Sequence, residues 1–335
     1  MDMVSELYVL THWSGLFHRP DRADFHCLHI DLQAALSIEY PLVHFGAAFG
    51  RAKYCMSTEV LNVLTSSRLV CLFVVLMAVA GTAQAEDPVF LPRAHSHNDY
   101  MRPHPLLDAL NAGFCSVEAD IYLVNGELLV AHDRDKVKPG GTLQKMYLDP
   151  LRERAKQNSG RIYPNGPSVI LLIDFKESPA ILWPALRDVL QQYEDMLTVF
   201  TDETVDERAV TVIISGTSPR AQLKQEPRRL AAIDGRLPDL ANPPSPKLVP
   251  LVSNSWTPVF KWMGTGPMPE AERAKLKEYI DKAHANGQKI RFWGAPNRLE
   301  VWEEFYTLGI DLLNADNPAQ MREFLVNKMN QEKAR

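Results

Sequence analysis

From Phe90 onward the chain repeats one pattern, a short apolar and β-branched run followed by a stretch of helical periodicity. The runs are Phe90–His97, Ser116–Leu123, Glu127–His132, Ser168–Lys176, Ala209–Ser215, Leu248–Ser253, Lys289–Trp293 and Asp311–Ala315. Between most of them lie Leu106–Ala112, Leu143–Gln157, Ala180–Tyr193, Glu270–Ala285, Arg298–Leu308 and Pro318–Met329, which read as helices. Strand then helix, repeated, calls for a mostly parallel sheet covered by helices. Residues 86–335 match the roughly 250 residues of a (β/α)8 barrel, so a single-domain α/β TIM barrel is the expected fold. A doubly wound open sheet is the rival, but no glycine-rich phosphate loop follows the first strand.

Two places break the alternation. Asn125-Gly126 joins the second and third runs as a tight hairpin turn, and Thr201–Arg208 is polar enough for another extended hairpin. Arg220–Pro246, rich in Pro, Arg and Gln, reads as a long loop with one short helix.

The start of the chain follows different rules. Leu69–Ala80 is an unbroken apolar run, with Arg68 before it and Gly81-Thr82-Ala83-Gln84-Ala85 after it. A basic residue, a short apolar stretch and a small-x-small ending make a signal peptide, so export after cleavage at Ala85 is expected. A membrane span takes about 20 apolar residues, more than this run provides. Export signals act near the N-terminus. Met56 therefore reads as the true start, 56–85 as the signal peptide and 1–55 as an upstream extension; starting from Met1, the same segment reads as a signal-anchor. Cys27, Cys55 and Cys71 precede the cleavage point, which leaves the mature chain Cys115 and no internal disulfide.

Lys and Arg total 36 against 41 Asp and Glu, a net charge of −5. Nucleic-acid surfaces carry a basic excess to meet phosphate, so a nucleic-acid partner is not expected. No amphipathic basic helix marks a permanent membrane dock, and contact with a membrane surface is expected to be transient at most.

Four of the ten histidines, His95, His97, His104 and His132, fall within one early stretch of the repeating region. Glu118-Ala119-Asp120 puts two carboxylates on one face of a strand, and Asp174 with Lys176 repeats that spacing near the end of another. In a barrel the C-terminal strand ends build the active site. His97, Glu118, Asp120, His132, Asp174 and Lys176 are therefore expected at one mouth. Each alone reads more simply as a solvated strand end or a packed side chain; their coincidence at successive strand ends favours function. Trp256, and the pair Arg291 and Trp293 on one strand face, read equally as packing or as pocket wall.

His95-Ser96-His97-Asn98-Asp99-Tyr100, then Val117-Glu118-Ala119-Asp120, then Ala131-His132-Asp133 resembles the phosphatidylinositol-specific phospholipase C and glycerophosphodiester phosphodiesterase superfamily. The likeness is greatest to its branch of secreted and fungal phospholipase C-like phosphodiesterases, and it extends weakly to Asp316-Asn317-Pro318. The resemblance implies His97 and His132 as an acid–base pair, with His95 competing for the first role. It implies Glu118, Asp120, Asp174 and Asn98 as ligands of one divalent cation. Hard oxygen donors suit Ca²⁺ or Mg²⁺, and Lys176 adds a fixed positive charge beside the phosphoryl oxygens.

Two departures matter. Asn98-Asp99 stands where glycerophosphodiesterases carry Arg-Gly, and Asp174 stands where they carry Glu, as in the sphingomyelinase D branch. His104, between Pro103 and Pro105, reads as a loop residue. The expectation is an exported, metal-dependent phosphoric diester hydrolase acting on a glycerophosphodiester, a phosphoinositide or a related small-molecule or lipid-derived phosphodiester. The alternative is a non-catalytic barrel that binds a phosphorylated or sugar ligand.

Overall fold

The computed structural model describes residues 89–334; the expected extension 1–55, the signal peptide 56–85 and Cys27, Cys55 and Cys71 lie outside the described residues. The strands in chain order are β1 (Leu91–Ser96), β2 (Phe114–Val124), β3 (Glu127–Val130), β4 (Val169–Phe175), β5 (Val199–Thr201) and β6 (Val205–Asp206). They continue as β7 (Val210–Gly216), β8 (Arg228–Arg229), β9 (Ala232–Gly235), β10 (Leu251–Ser255), β11 (Lys289–Trp293) and β12 (Leu313–Ala315). Hydrogen bonding runs β11-β10-β9-β7-β4-β2-β1-β12, all parallel. A parallel bridge from Arg291 to Leu312 then brings the two ends of this series together. Eight parallel strands thus form the nearly closed barrel that the strand–helix repeat predicts, and not an open sheet.

The eight runs read from the sequence are not the eight barrel strands. Glu127–His132 forms β3, which folds back antiparallel on β2, Val130 opposite Ile121, and stays outside the ring. The missing barrel strand is β9, inside the supposed loop Arg220–Pro246. Four residues are too few for a periodic signal, and Arg236-Leu237-Pro238 follows at once. Neighbours define it instead: Ile213 pairs with Ala232, Ile214 with Ile233 and Leu251 with Asp234. The expected hairpin around Thr201–Arg208 is present as β5 and β6, with β8 as a third strand.

The helices are α1 (Leu107–Asn111), α2 (Asp149–Gln157), α3 (Pro179–Gln191), α4 (Arg220–Gln225), α5 (Glu270–Ala285), α6 (Leu299–Leu308) and α7 (Pro318–Lys333). Their ends carry the expected chemistry. Ser178 Oγ accepts the Ala180 amide at 3.3 Å ahead of α3, and Asn317 Oδ1 accepts the Gln320 amide at 3.3 Å ahead of α7. A proline takes the first position of each, where its missing N–H costs nothing. Gly309, at φ 100°, closes α6 in a conformation that side chains resist. The expected helix Leu143–Gln157 begins instead with a π-helical turn over Gln144–Leu148.

Strand alternation separates two cores. Leu171, Ile173, Val212 and Ile214 belong to the large core with Leu182 and Leu186 of α3. Ile170, Leu172, Ile213, Leu251 and Leu312 form a separate apolar cluster within the ring. One pleat further along, Leu172 gives way to Asp174, Ile213 to Ser215, Leu251 to Ser253 and Leu312 to Asn314. Residues two apart share a strand face. The barrel interior therefore turns from apolar to polar in one step toward the C-terminal strand ends. Trp256 belongs to the core, stacked on Phe260 with centroids 4.2 Å apart and edge-on to Phe292.

Candidate active site

The polar layer opens into a cleft of about 420 Å³ lined by His97, Asn98, Glu118, His132, Asp174 and Lys176, and also by Ser215, Arg236, Arg291 and Trp293. Six of the seven expected site residues thus meet at one mouth. Asp120, the seventh, is fully buried and touches Lys176 from below. The β2–β3 turn, with Asn125 at φ 51° and Gly126 at φ 84°, folds β3 back along β2. Ala131 then donates to the Asp120 carbonyl at 3.1 Å, which delivers His132 to the rim.

The two early histidines have different surroundings. His95 is 0% exposed, between Ser116 Oγ at 2.7 Å and Glu118 Oε2 at 3.3 Å. Burial and the nearby Arg291 charge lower its imidazole to about 3, so it is neutral near pH 7. Burial alone would push the Glu118 carboxyl up, but Arg291 and His95 hold it well below the usual range. Ionised Glu118 only accepts, so Nε2–H of His95 donates to it and Nδ1 takes the Ser116 hydroxyl proton. His95 orients Glu118 and has no access to the cleft. His97 does, and its Nδ1 lies 3.3 Å from Asp316 Oδ1. That hydrogen bond holds the Asp316 carboxyl below its ordinary value, and Asn297 donates to the other oxygen at 2.6 Å.

Lys176 bridges two carboxylates, with Nζ 2.9 Å from Asp120 Oδ2 and 2.5 Å from Asp174 Oδ2. Burial disfavours its charge, but the two carboxylates raise its pKa above the ordinary value. Burial and the Glu118 charge push Asp120 up to about 6 against the pull of Lys176. Tyr100 donates to Asp120 Oδ2 at 2.7 Å and lies 3.0 Å from Asn98 Oδ1.

In this arrangement the expected metal ligands Asn98, Glu118, Asp120 and Asp174 have protein partners. Glu118 is engaged by His95 and Arg291, and Lys176 lies between Asp120 and Asp174. Asp120 Oδ1 is buried without a partner. Among the described residues no three His, Cys, Asp or Glu side chains converge as ligands. No step is derived through an ion.

Asp99, which the sequence presents only as a departure from a family pattern, fixes the loop that carries His97 and Asn98. Its buried carboxylate accepts from Ser96 Oγ at 2.7 Å, the Leu106 amide at 2.5 Å and Tyr147 OH at 3.0 Å. The loop needs such bracing because Leu106 is held at φ 64°, strained for a leucine. Asn98, at φ 48°, occupies the left-handed region that Asn tolerates. His104 is exposed beside Asp108, as a loop residue should be.

Sequence reasoning missed Arg236, Asp234 and Asn314. Arg236 Nη1 donates to Asp234 Oδ2 at 2.9 Å, and Asn314 Oδ1 accepts from Arg291 Nε at 3.1 Å. Asp234 and Asn314 sit on short strands, two residues past Ala232 and Leu312, and that inward spacing was their only signal; Arg236, just past β9, had none.

An AIM6-like phosphodiesterase domain matches residues 85–231, a span that includes every expected site residue but not Arg236, Arg291 or Asp316. Altered inheritance of mitochondria protein 6 of Eremothecium gossypii is 31% identical over 271 residues, covering 69% of this chain and 69% of that protein. Its namesake in Saccharomyces cerevisiae is 32% identical over 269 residues, covering 67% of this chain and 68% of that protein. Among solved structures, a glycerophosphodiester phosphodiesterase from Parabacteroides distasonis aligns over 71% of this chain and 98% of that one, at 14% identity and a TM-score of 0.45.

The relatives correct the function expected from the sequence. Over the barrel the chain matches altered inheritance of mitochondria proteins. The exported, metal-dependent hydrolase of lipid-derived phosphodiesters with a histidine pair does not stand. What the matches carry is coarser, a barrel of phosphodiesterase type.

Proposed function

The chain belongs to the AIM6-like phosphodiesterase family, and from that premise we propose that the mouth cleft hydrolyses a phosphoric diester. The observation that carries this reading is the His97–Asp316 pair in the cleft that Lys176 also lines. Asp316 accepts Nδ1–H of His97, which leaves Nε2 free to take a proton from water attacking phosphorus. Two of the three Lys176 donors go to Asp120 and Asp174; the third is left for a phosphoryl oxygen whose charge grows in the transition state. The ester P–O bond breaks, the departing oxygen takes a proton from solvent at the rim, and the alcohol leaves; His97 returns its proton to solvent.

Release of p-nitrophenol from bis(p-nitrophenyl) phosphate by the full chain tests this. Turnover is expected to fall about 100-fold or more in His97→Ala and in Lys176→Met. A wild-type protein that cleaves neither this ester nor a panel of alkyl phosphodiesters overturns the reading.

A further inference from the structure

Three cationic side chains line the cleft, Lys176, Arg236 and Arg291, and they differ in what they leave over. Lys176 gives two of its three donors to Asp120 and Asp174, and Arg236 bonds Asp234 and Ser215. Arg291 is 2% exposed, yet its donors are only partly used. Nε donates to Asn314 Oδ1 at 3.1 Å and Nη2 to Glu118 Oε2 at 3.3 Å, while Nη1 is buried with no partner. Interiors pair nearly every buried donor. A guanidinium clamped on two sides, with its remaining nitrogen unpaired in a cleft wall, is oriented for an acceptor that comes from outside.

We propose that Arg291 binds a non-bridging phosphoryl oxygen of the substrate, and that Glu118, expected from the sequence as a metal ligand, positions this guanidinium. The inference rests on the phosphodiesterase reading and assigns the anion-binding residue of that same site. The chemistry selected is a tetrahedral phosphoryl oxyanion, which the planar fork of arginine meets better than an ammonium does. His95 belongs to the same construction. Its Nε2–H holds Glu118, and Ser116 holds its Nδ1, so the orientation of Arg291 passes back to β1 and β2 through buried hydrogen bonds.

The test is calorimetric titration of inorganic phosphate into the full chain with a metal chelator present. Wild type is expected to bind phosphate. Arg291→Gln combined with Glu118→Gln, which removes both buried charges together, is expected to weaken binding about tenfold or more. Arg291→Lys keeps the charge but not the fork; it is expected to weaken binding by a smaller factor, and it decides the matter if the double variant does not fold. The proposal is overturned if wild type binds no phosphate, if binding appears only once a divalent cation is added, or if the Arg291 variants bind as tightly as wild type. Phosphodiester turnover in wild type with affinity unaltered by these variants would sink the Arg291 assignment alone. Arg291-dependent phosphate binding with no turnover on any diester would sink the hydrolase reading alone.

Discussion

Two layers of the barrel interior lie one pleat apart and obey opposite rules. The lower one, Leu172, Ile213, Leu251 and Leu312 with the partly buried Ile170, is apolar. The upper one replaces those side chains with Asp174, Ser215, Ser253 and Asn314 and adds His95, Glu118, Asp234 and Arg291. The lower layer gains stability from every methylene it removes from water. The upper layer must desolvate charge, and partners offset that cost only where they are complete. The proposed function belongs to the layer that the barrel's stability would be better without.

The largest expected effect comes from breaking a pair in the upper layer. Arg291→Leu leaves Glu118 buried without its cation and should lower the unfolding free energy by about 3–5 kcal/mol in urea titrations. Adding Glu118→Gln should restore most of that loss; a single variant as stable as wild type would mean that the pair is not the upper layer's main charge balance. Next comes the lower layer. Leu172→Ala should cost about 2–4 kcal/mol through the cavity it leaves, with turnover per folded molecule changed by no more than about twofold. A large fall in turnover there would erase the division of labour between the layers.

The pH dependence of stability sharpens the contrast, because two buried groups of the upper layer pull in opposite directions. His95 has its pKa lowered from 6.5 to about 3, so its contribution is lost as pH falls below 6.5, where the unfolded chain takes up the proton first. Asp120 has its pKa raised from 3.8 to about 6, so its contribution is full below 3.8 and is lost as pH rises through 6. Each slope is at most about 1.4 kcal/mol per pH unit, and in wild type they oppose each other between those limits. His95→Gln should leave stability falling with rising pH in that window, and Asp120→Asn should leave it rising. Parallel profiles for the three proteins would contradict both assignments.

The smallest effect is expected at the loop brace. Tyr147→Phe removes one of the donors to Asp99 and should cost about 1 kcal/mol of stability. Turnover should fall more than stability requires, because His97 loses part of its bracing. A fall in stability with unchanged turnover would reduce Asp99 to a structural role.

How much of this the sequence discloses depends on the length of the element that carries each residue. Glu118 and Asp120 stand on an eleven-residue strand, and Asp174 and Lys176 at the end of a seven-residue one, so period-two spacing puts them at a common mouth. β9 has four residues and β12 three, and neither holds enough pleats to reveal Asp234 or Asn314 as inward-facing. The apolar layer hides for another reason: Ile170-Leu171-Leu172-Ile173 is apolar on both faces, because one faces helices and the other the barrel interior. Pairing is not legible at all. The i, i+2 spacing of Asp174 and Lys176 fits a carboxylate with a free ammonium as well as the Lys176 bridge to Asp120, and only the neighbouring strand decides. The same holds for Glu118, whose guanidinium partner lies far along the chain on β11.

The most direct test of the central claim, that the mouth cleft adds water to the phosphorus of a phosphodiester, is hydrolysis in ¹⁸O-enriched water followed by mass spectrometry of both products. The account predicts ¹⁸O in the phosphomonoester and none in the released alcohol, with the label lost in His97→Ala. Label in the alcohol, or equal labelling by wild type and His97→Ala, would contradict it.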